Sequence, residues 1–509
     1  MTTQQPADKV ALSARRPIRE LPRLTWARIF AISIFAFAID FHWGALGIII
    51  LPSQVLKIVG DANKGAALAI VLAPGAFVSL FANPLFGWLS DRTHGRLAAW
   101  GRRRPYIMLG TLGNIAALVW MALARDIPSL AIAYMLAQFF SNAAQAPFHA
   151  LLPDIVPEEQ RGLTSGVIGL LFIAGNIGGV IIAGQLVDAS KPLPAYEQGL
   201  WLSYGIIIVV ITLLMLVTLF AVHERVGTTT ERPAAGDEQR ELKANGAAGP
   251  RRPWLSRSLQ LTIVGTILAT LIAWGIMLLW NTWHLGVQID GTVQQLVLEL
   301  IVTVGILRLF DFRPRRDPDF AWVFVTRLVM MLGIYTIQDF LQYYMRDAVH
   351  AAHPEQAATL FVILVSLTSL VTAFVAGWFS DHFGRKRLVY ASGGLMALVG
   401  VVFILTHSYT IVIAAGALFG LGYGAYQSVD WALVADVLPS EQNYARDMGI
   451  WNISLSLPQV IAPVLGGPLI DFFAHAGNPV LGFQLLFAMA IVYCVLGTVT
   501  VRFIRSVKK

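Results

Sequence analysis

The sequence predicts an all-α polytopic membrane protein: two six-helix halves with two further helices inserted between them, about fourteen transmembrane helices in all. Three observations carry this expectation. Of the 509 residues, 56% are hydrophobic and only 13% are charged, where a soluble domain carries about 25% charged residues to keep its surface in water. Apolar runs of about 20 residues, the length that crosses a bilayer as a helix, recur along the chain. Two loop motifs each occur twice, at nearly one offset. The composition excludes a soluble enzyme, a disordered chain and a single-span receptor.

The elements follow in order. Residues 1–26 form a polar, basic tail with Arg15, Arg16, Arg19 and Arg23. The first apolar run, 27–51, is too long for a signal-peptide core and reads as a retained helix. Runs near 66–89, 105–123, 128–150, 164–187 and 200–222 complete a first half, 27–222. Segment 223–257 holds 12 charged residues in 35, with Gly and Pro scattered through it, and reads as a linker. Runs at 259–281 and 294–310 form the inserted pair within 258–317. This pair has no counterpart in the repeat and is expected at the periphery. Six further runs (318–345, 357–379, 388–406, 410–434, 449–471 and 480–503) build the second half, 318–503, before a short tail, 504–509.

The 37 basic and 30 acidic residues give a formal charge of +7. With a cytoplasmic N-terminus, 31 Lys and Arg fall in cytoplasmic segments. Five fall outside (Lys57, Lys64, Arg125, Lys191, Arg346), and Arg327 lies inside a helix. Cytoplasmic loops collect positive charge. Both termini are therefore expected in the cytoplasm, and the charge is topological, with no nucleic-acid partner. The lone Cys494 allows no intrachain disulfide and no cysteine metal cluster. No Walker-type phosphate loop and no HExxH helix is present. Neither a cofactor nor a metal is expected; a gradient must drive transport, or the protein facilitates diffusion.

The repeated motifs locate the halves. GWLSDRTHGRLAAWGRRRP begins at Gly87 and GWFSDHFGRKR at Gly377; LPDIVPEEQRG begins at Leu152 and VADVLPSEQNYARD at Val434. The offsets, 290 and 282 residues, indicate two homologous six-helix units, an architecture that places a substrate site between them near the midplane. The Gly87–Arg104 loop and PEEQRG after the fourth helix resemble the signature motifs of the major facilitator superfamily of secondary transporters. The resemblance covers about 400 residues, and SDR followed by GRRRPYI is most similar to the sucrose-transporter and glycoside–pentoside–hexuronide branches. It implies the major facilitator fold. It also implies a cytoplasmic gate of Gly87, Asp91, Arg102, Arg103, Asp154, Glu158 and Arg161, with Gly377, Asp381, Arg385 and Asp436 in the second half. Gly87 and Gly377, lacking a Cβ, would let helices approach closely at a moving interface.

Polar groups inside apolar spans are costly and call for a reason. Asp40, halfway along the first helix, is the expected proton carrier, with His42 sharing the proton. The substrate-binding candidates are Trp43, Asn142, Gln145, His149 and Asn176 in the first half. In the second half they are Tyr335, Gln338, Asp339, Gln342, Tyr426, Gln427, Asp430 and Trp431. Rings stack on the apolar faces of sugars while carboxylates and amides take hydroxyls. Asp339 has an alternative role, pairing with Arg346 as an outer gate. The second helix lacks the paired Asp residues of sodium-coupled sugar carriers, which favours protons. The fourth helix lacks the Arg of plant-type sucrose carriers, which speaks against sucrose itself. The expected function is proton-coupled symport of a sugar or polyol in a bacterial inner membrane. The alternative is a proton-driven exporter of drugs or metabolites, because 14-span exporters also carry two inserted helices and AGNIGG and APVLGG partly resemble an antiporter motif. A nontransporting scaffold on this fold is a third reading. A ligand-binding screen separates it from both transporters.

Overall fold

A computed structural model describes residues 23–93, 100–222, 257–283, 288–437 and 444–505. Among the described residues, fourteen helices are long and apolar enough to cross a membrane. The first half holds α1 (Trp26–Val59), α2 (Lys64–Asp91), α3 (Arg104–Leu123), α4 (Ile127–Ile155), α5 (Glu158–Leu186) and α6 (Leu193–Ala221). The inserted pair is α7 (Arg257–Thr282) and α8 (Gly291–Leu309). The second half holds α9 (Pro318–Asp347), α10 (Pro354–Phe383), α11 (Arg385–Leu405), α12 (Tyr409–Val437), α13 (Tyr444–His475) and α14 (Pro479–Thr500). Most of the proposed linker lies outside the described residues. Every expected span is present, most of them a few residues longer than its apolar run, because polar residues at a helix end still propagate the backbone ladder.

Two spans are irregular. In α1 a π-helical segment, Leu46–Ile50, follows Asp40, His42 and Trp43. In α9 the helix breaks between Gln338 and Leu341, so Asp339 and Phe340 sit between two helical pieces. Such interruptions free side chains and backbone to line a polar site.

An even number of spans brings both described ends of the chain, Arg23 and Arg505, to one side, called here the tail end. The opposite side is the far end. The two halves meet along α2 with α13 and along α5 with α10. At the far end this seam is tight. A Cβ on Gly467 would lie 2.2 Å from the Gly65 carbonyl oxygen, and one on Gly65 would lie 2.4 Å from that of Gly467. Further along, Ala73 and Ala76 of α2 pack on Val460 and Val464 of α13. Toward the tail end no such glycine contact is made. A Cβ on Gly87 of α2, or on Gly162, Gly166 or Gly169 of α5, would meet nothing within 4 Å.

The inserted pair is peripheral only in part. Helix α7 is largely exposed along its length. Helix α8 instead lies over the seam, where Leu296 packs on the Ala73–Val464 cluster that joins the halves. One turn on, the buried Glu299 carboxylate accepts a 2.9 Å bond from Gln295, and its second oxygen has no partner among the described residues.

Replacing Gly467 by Val should hold the far end open. In a Cys494→Ser background, a cysteine in place of the fully buried Ala69 should then react at least about tenfold faster with a membrane-impermeant maleimide, a factor worth about 1.4 kcal/mol. An unchanged rate would show that the glycine contact is not needed for closure.

Candidate transport site

The residues between the halves form a polar cluster with a twofold pattern. In α4, Gln138 Nε2 donates to the Tyr134 hydroxyl at 2.9 Å. In α12, Gln427 Nε2 donates to the Tyr423 hydroxyl at 2.9 Å. Each pair is four residues apart on one helix face, and the two are 289 residues apart in sequence. Each tyrosine is close enough to feel the charge of a carboxylate in the other half: Tyr423 that of Asp40 in α1, and Tyr134 that of Asp339 in α9. Tyr335 accepts a 2.7 Å bond from Gln459 of α13. Trp43 stands edge-on to Tyr134, ring centroids 6.2 Å apart. Asp40 is half-buried and makes no side-chain hydrogen bond or ion pair with any described residue. The cluster thus offers two carboxylates, three phenols, three amides and an indole, a set that suits a neutral ligand with many hydroxyls.

Beside it lies an ion pair that no sequence pattern announces. Arg327 of α9 and Asp430 of α12 are 3% and 2% exposed, with Nε 3.3 Å from Oδ2. The guanidinium lies 3.3 Å from the centroid of the Trp451 ring of α13, and Tyr426 donates to Asp430 Oδ1 at 3.2 Å. Three substrate-binding expectations are corrected here. Tyr426 and Asp430 are buried in the second half, spent on holding Arg327. Trp431 is exposed and packs edge-on against Trp451 at 4.5 Å.

Other candidates also serve packing. His42 points away from Asp40, since residues two apart face opposite sides of a helix. It sits in a small cavity with Thr111, Asn114 and Ser141, inside the first half. It makes no well-aligned hydrogen bond there; only the Ile39 carbonyl comes near. Asn142 is buried, donating to the Gln138 carbonyl and accepting from Asn83. Asn176 packs against Gly44 of α1. Gln145 and His149, 3.3 Å apart, are more open and lie toward the tail end of α4. Gln338 is half-buried at the end of the first piece of α9, beside Asp339.

The far end is closed by polar contacts across the halves. Asp471 of α13 accepts from the Gly65 and Ala66 amides at 2.9 and 2.7 Å, capping the start of α2. The buried Lys64 ammonium pairs with Asp347 and reaches Asp61 at 3.4 Å. Arg346 pairs with Asp61 at 2.7 Å, so the expected Asp339–Arg346 gate is not formed. Gln342 is no cavity residue: it donates to Ser53 at 2.6 Å and to Glu355 at 3.1 Å. Glu355 also accepts from Ser53 and from the Ala189 amide. Burial pushes the Asp61 carboxyl up, but the Arg346 hydrogen bond and the charges of Arg346 and Lys64 outweigh it and hold Asp61 below the usual range.

At the tail end the expected gate residues are assembled in the first half. Arg103 bonds both Asp91, at 2.6 Å, and Asp154, at 3.0 Å, and Arg102 reaches Asp154 at 2.7 Å. Arg161 donates to the Val156 carbonyl. In the second half Arg385 pairs with Asp436. The side chains of Glu158, Gly377 and Asp381 lie outside the described residues. Gly87 is a correction: it makes no close approach, since a Cβ there would meet nothing within 4 Å.

Two outcomes follow. Asp430→Asn should cost about 3–5 kcal/mol of stability by leaving Arg327 buried and uncompensated, seen as a lower melting temperature. Arg327→Met with Asp430→Leu should recover most of it. A neutral single variant would contradict the pairing. For Asp61, a depressed pKa means its contribution to closure is present above the ordinary value of 3.8 and is lost as pH falls through the lower value it has in the closed state. The difference in Ala69→Cys labelling between Asp61 and Asp61→Asn proteins should therefore be flat from about pH 8 to pH 5, and vanish only in strong acid. A difference that vanished near neutrality would rule this out.

Comparison with known proteins agrees with the architecture. The Major Facilitator Superfamily model matches residues 29–310 and 323–509. The chain is 21% identical to the sucrose transport protein SUC4 of Arabidopsis thaliana, over 94% of this chain and 91% of that one. It is 29% identical to the class E tetracycline resistance protein of Escherichia coli, over 43% of this chain and 49% of the other. It is 23% identical to human solute carrier family 45 member 3, over 82% and 71%. Among solved structures, an auto-inhibited POT family peptide transporter superposes with a TM-score of 0.65 at 14% identity, covering 94% of this chain and 96% of its own. The nucleoside transporter NupG gives 0.60 at 11% identity, covering 93% and 98%. The chain belongs to the Major Facilitator Superfamily, and it is a transporter, not an enzyme.

Proposed function

We propose that the protein moves a sugar or related polyol together with protons, by alternating access, across a bacterial inner membrane, with the tail end in the cytoplasm. The observation that carries this reading is the cluster between the halves, in which each half's carboxylate lies near the tyrosine of the other half's tyrosine–glutamine pair. A polyhydroxylated ring entering from the open tail end meets aromatic faces for its apolar side and acceptors for its hydroxyls. Bound between the halves, it would draw them together and favour closure of the tail end, while the far-end contacts release. Asp40 is the proton carrier in this scheme, because its carboxyl has no partner among the described residues where the ligand would bind. The relatives named as sucrose transport proteins support the substrate class.

Export of drugs or metabolites is the second reading. The tetracycline-resistance relative favours it, as do the inserted helices. The experiment that separates the readings is proteoliposome flux. Asp40→Asn should retain substrate binding and exchange between equal pools but lose accumulation driven by an imposed pH gradient. An Asn variant that still accumulates sugar would remove Asp40 from the coupling role. Wild-type protein that ignores sugars and expels lipophilic cations would replace the proposal with the exporter.

A further inference from the structure

The inserted pair holds an open groove that the transport cycle does not use. It runs between α7 and α8 in their tail-end halves and has a volume of about 560 Å³. Its walls are apolar, with Leu261 and Ala269 from α7 and Leu300 and Val304 from α8. Two glycines shape it. Gly305 lets the helices touch, since a Cβ there would lie 2.3 Å from the Thr266 hydroxyl; Gly265 leaves a gap, with nothing within 4 Å of where its Cβ would be. One charged side chain, Arg308, closes the lining. It lies in the last turn of α8, one residue before its end, is exposed, and has no side-chain partner among the described residues. Beyond it Arg315 and Arg316 are also exposed.

An apolar slot of acyl-chain width inside the bilayer, with an unpaired guanidinium at headgroup depth, matches one kind of molecule. We propose that this groove binds an anionic glycerophospholipid of the tail-end leaflet, with one acyl chain between α7 and α8 and the phosphodiester on Arg308. Hydrocarbon alone would need no arginine, and a soluble phosphate would need no slot. Charge at a headgroup is worth about 1 kcal/mol per basic residue, while the slot adds selectivity for a lipid seated against these two helices. The site does not depend on which substrate the central cluster takes. It gives the inserted pair a role of its own, because α8 also packs on the seam between the halves.

The test uses the full-length purified protein and native mass spectrometry with phosphatidylglycerol, phosphatidylcholine and inorganic phosphate as probes. Wild-type protein should retain phosphatidylglycerol in preference to phosphatidylcholine. Arg308→Ala should weaken phosphatidylglycerol binding about fivefold, the fold-change that corresponds to about 1 kcal/mol. Gly265→Leu should weaken it as well, by filling the slot; the open space at its Cβ and its better helix propensity keep α7 folded. Gly275→Leu, equally open but outside the groove, should have no effect and controls for the substitution. Equal retention of the two lipids, a Gly265→Leu protein with wild-type affinity, or displacement of the lipid by inorganic phosphate would each overturn the proposal.

Discussion

A carboxylate on a helix start is what the rest of the structure depends on. The first turn of any helix leaves amides without intrahelical partners and carries partial positive charge. In α2 two of those amides are met by Asp471 from the other half. Bonds of this kind, amide to carboxylate, are worth more than neutral ones, and here they are made where Gly65 and Gly467 bring two backbones into contact. The contact is geometrically strict, since any side chain at either glycine would push the amides out of reach. Lys64, Asp347 and the Glu355–Gln342–Ser53 group then close around it. With one end pinned, no comparable glycine contact joins the halves at the level of Gly87.

That geometry gives the cluster its twofold character. Two homologous halves facing each other bring Asp40 of α1 near Tyr423 of α12 and Asp339 of α9 near Tyr134 of α4. Each half therefore contributes a carboxylate to one side of the site and a tyrosine–glutamine pair to the other. The Arg327–Asp430 pair breaks the symmetry. A buried pair of charges is costly to assemble, and removing one partner costs more still. The second half thus has a rigid internal anchor under Trp451, and the first half has none like it among the described residues.

Much of the fold is legible in the sequence. Apolar run length reports spans directly, and the repeated loop motifs report the halves. The contacts of Arg102 and Arg103 are legible in part, because both share one loop motif with Asp91, while Asp154 stands in the second motif some fifty residues on. The site is less so. Tyr134 and Gln138 are not among the sequence candidates, although Tyr423 and Gln427 repeat them at an offset of 289 residues, close to that of the loop motifs. Arg327 is visible as an intramembrane charge, but its partner lies about a hundred residues on and no local pattern joins them. Tyr426, Asp430 and Gln342 look like ligands because polarity at membrane depth does not say which way a side chain faces. Asp471, Lys64 and Glu355 carry no signal, since a cap on another half's helix has no sequence spacing.

The most direct test is a distance across the far end. Spin labels at the exposed Ala62 and Ala476, on opposite halves in a Cys494→Ser background, report the separation of the two halves by pulsed electron paramagnetic resonance. If the Asp471 cap holds the far end shut, the parent protein will show a dominant short distance, and Asp471→Ala will move a large part of that population to a longer one. An Asp471→Ala distance distribution that superimposes on the parent's would contradict the account.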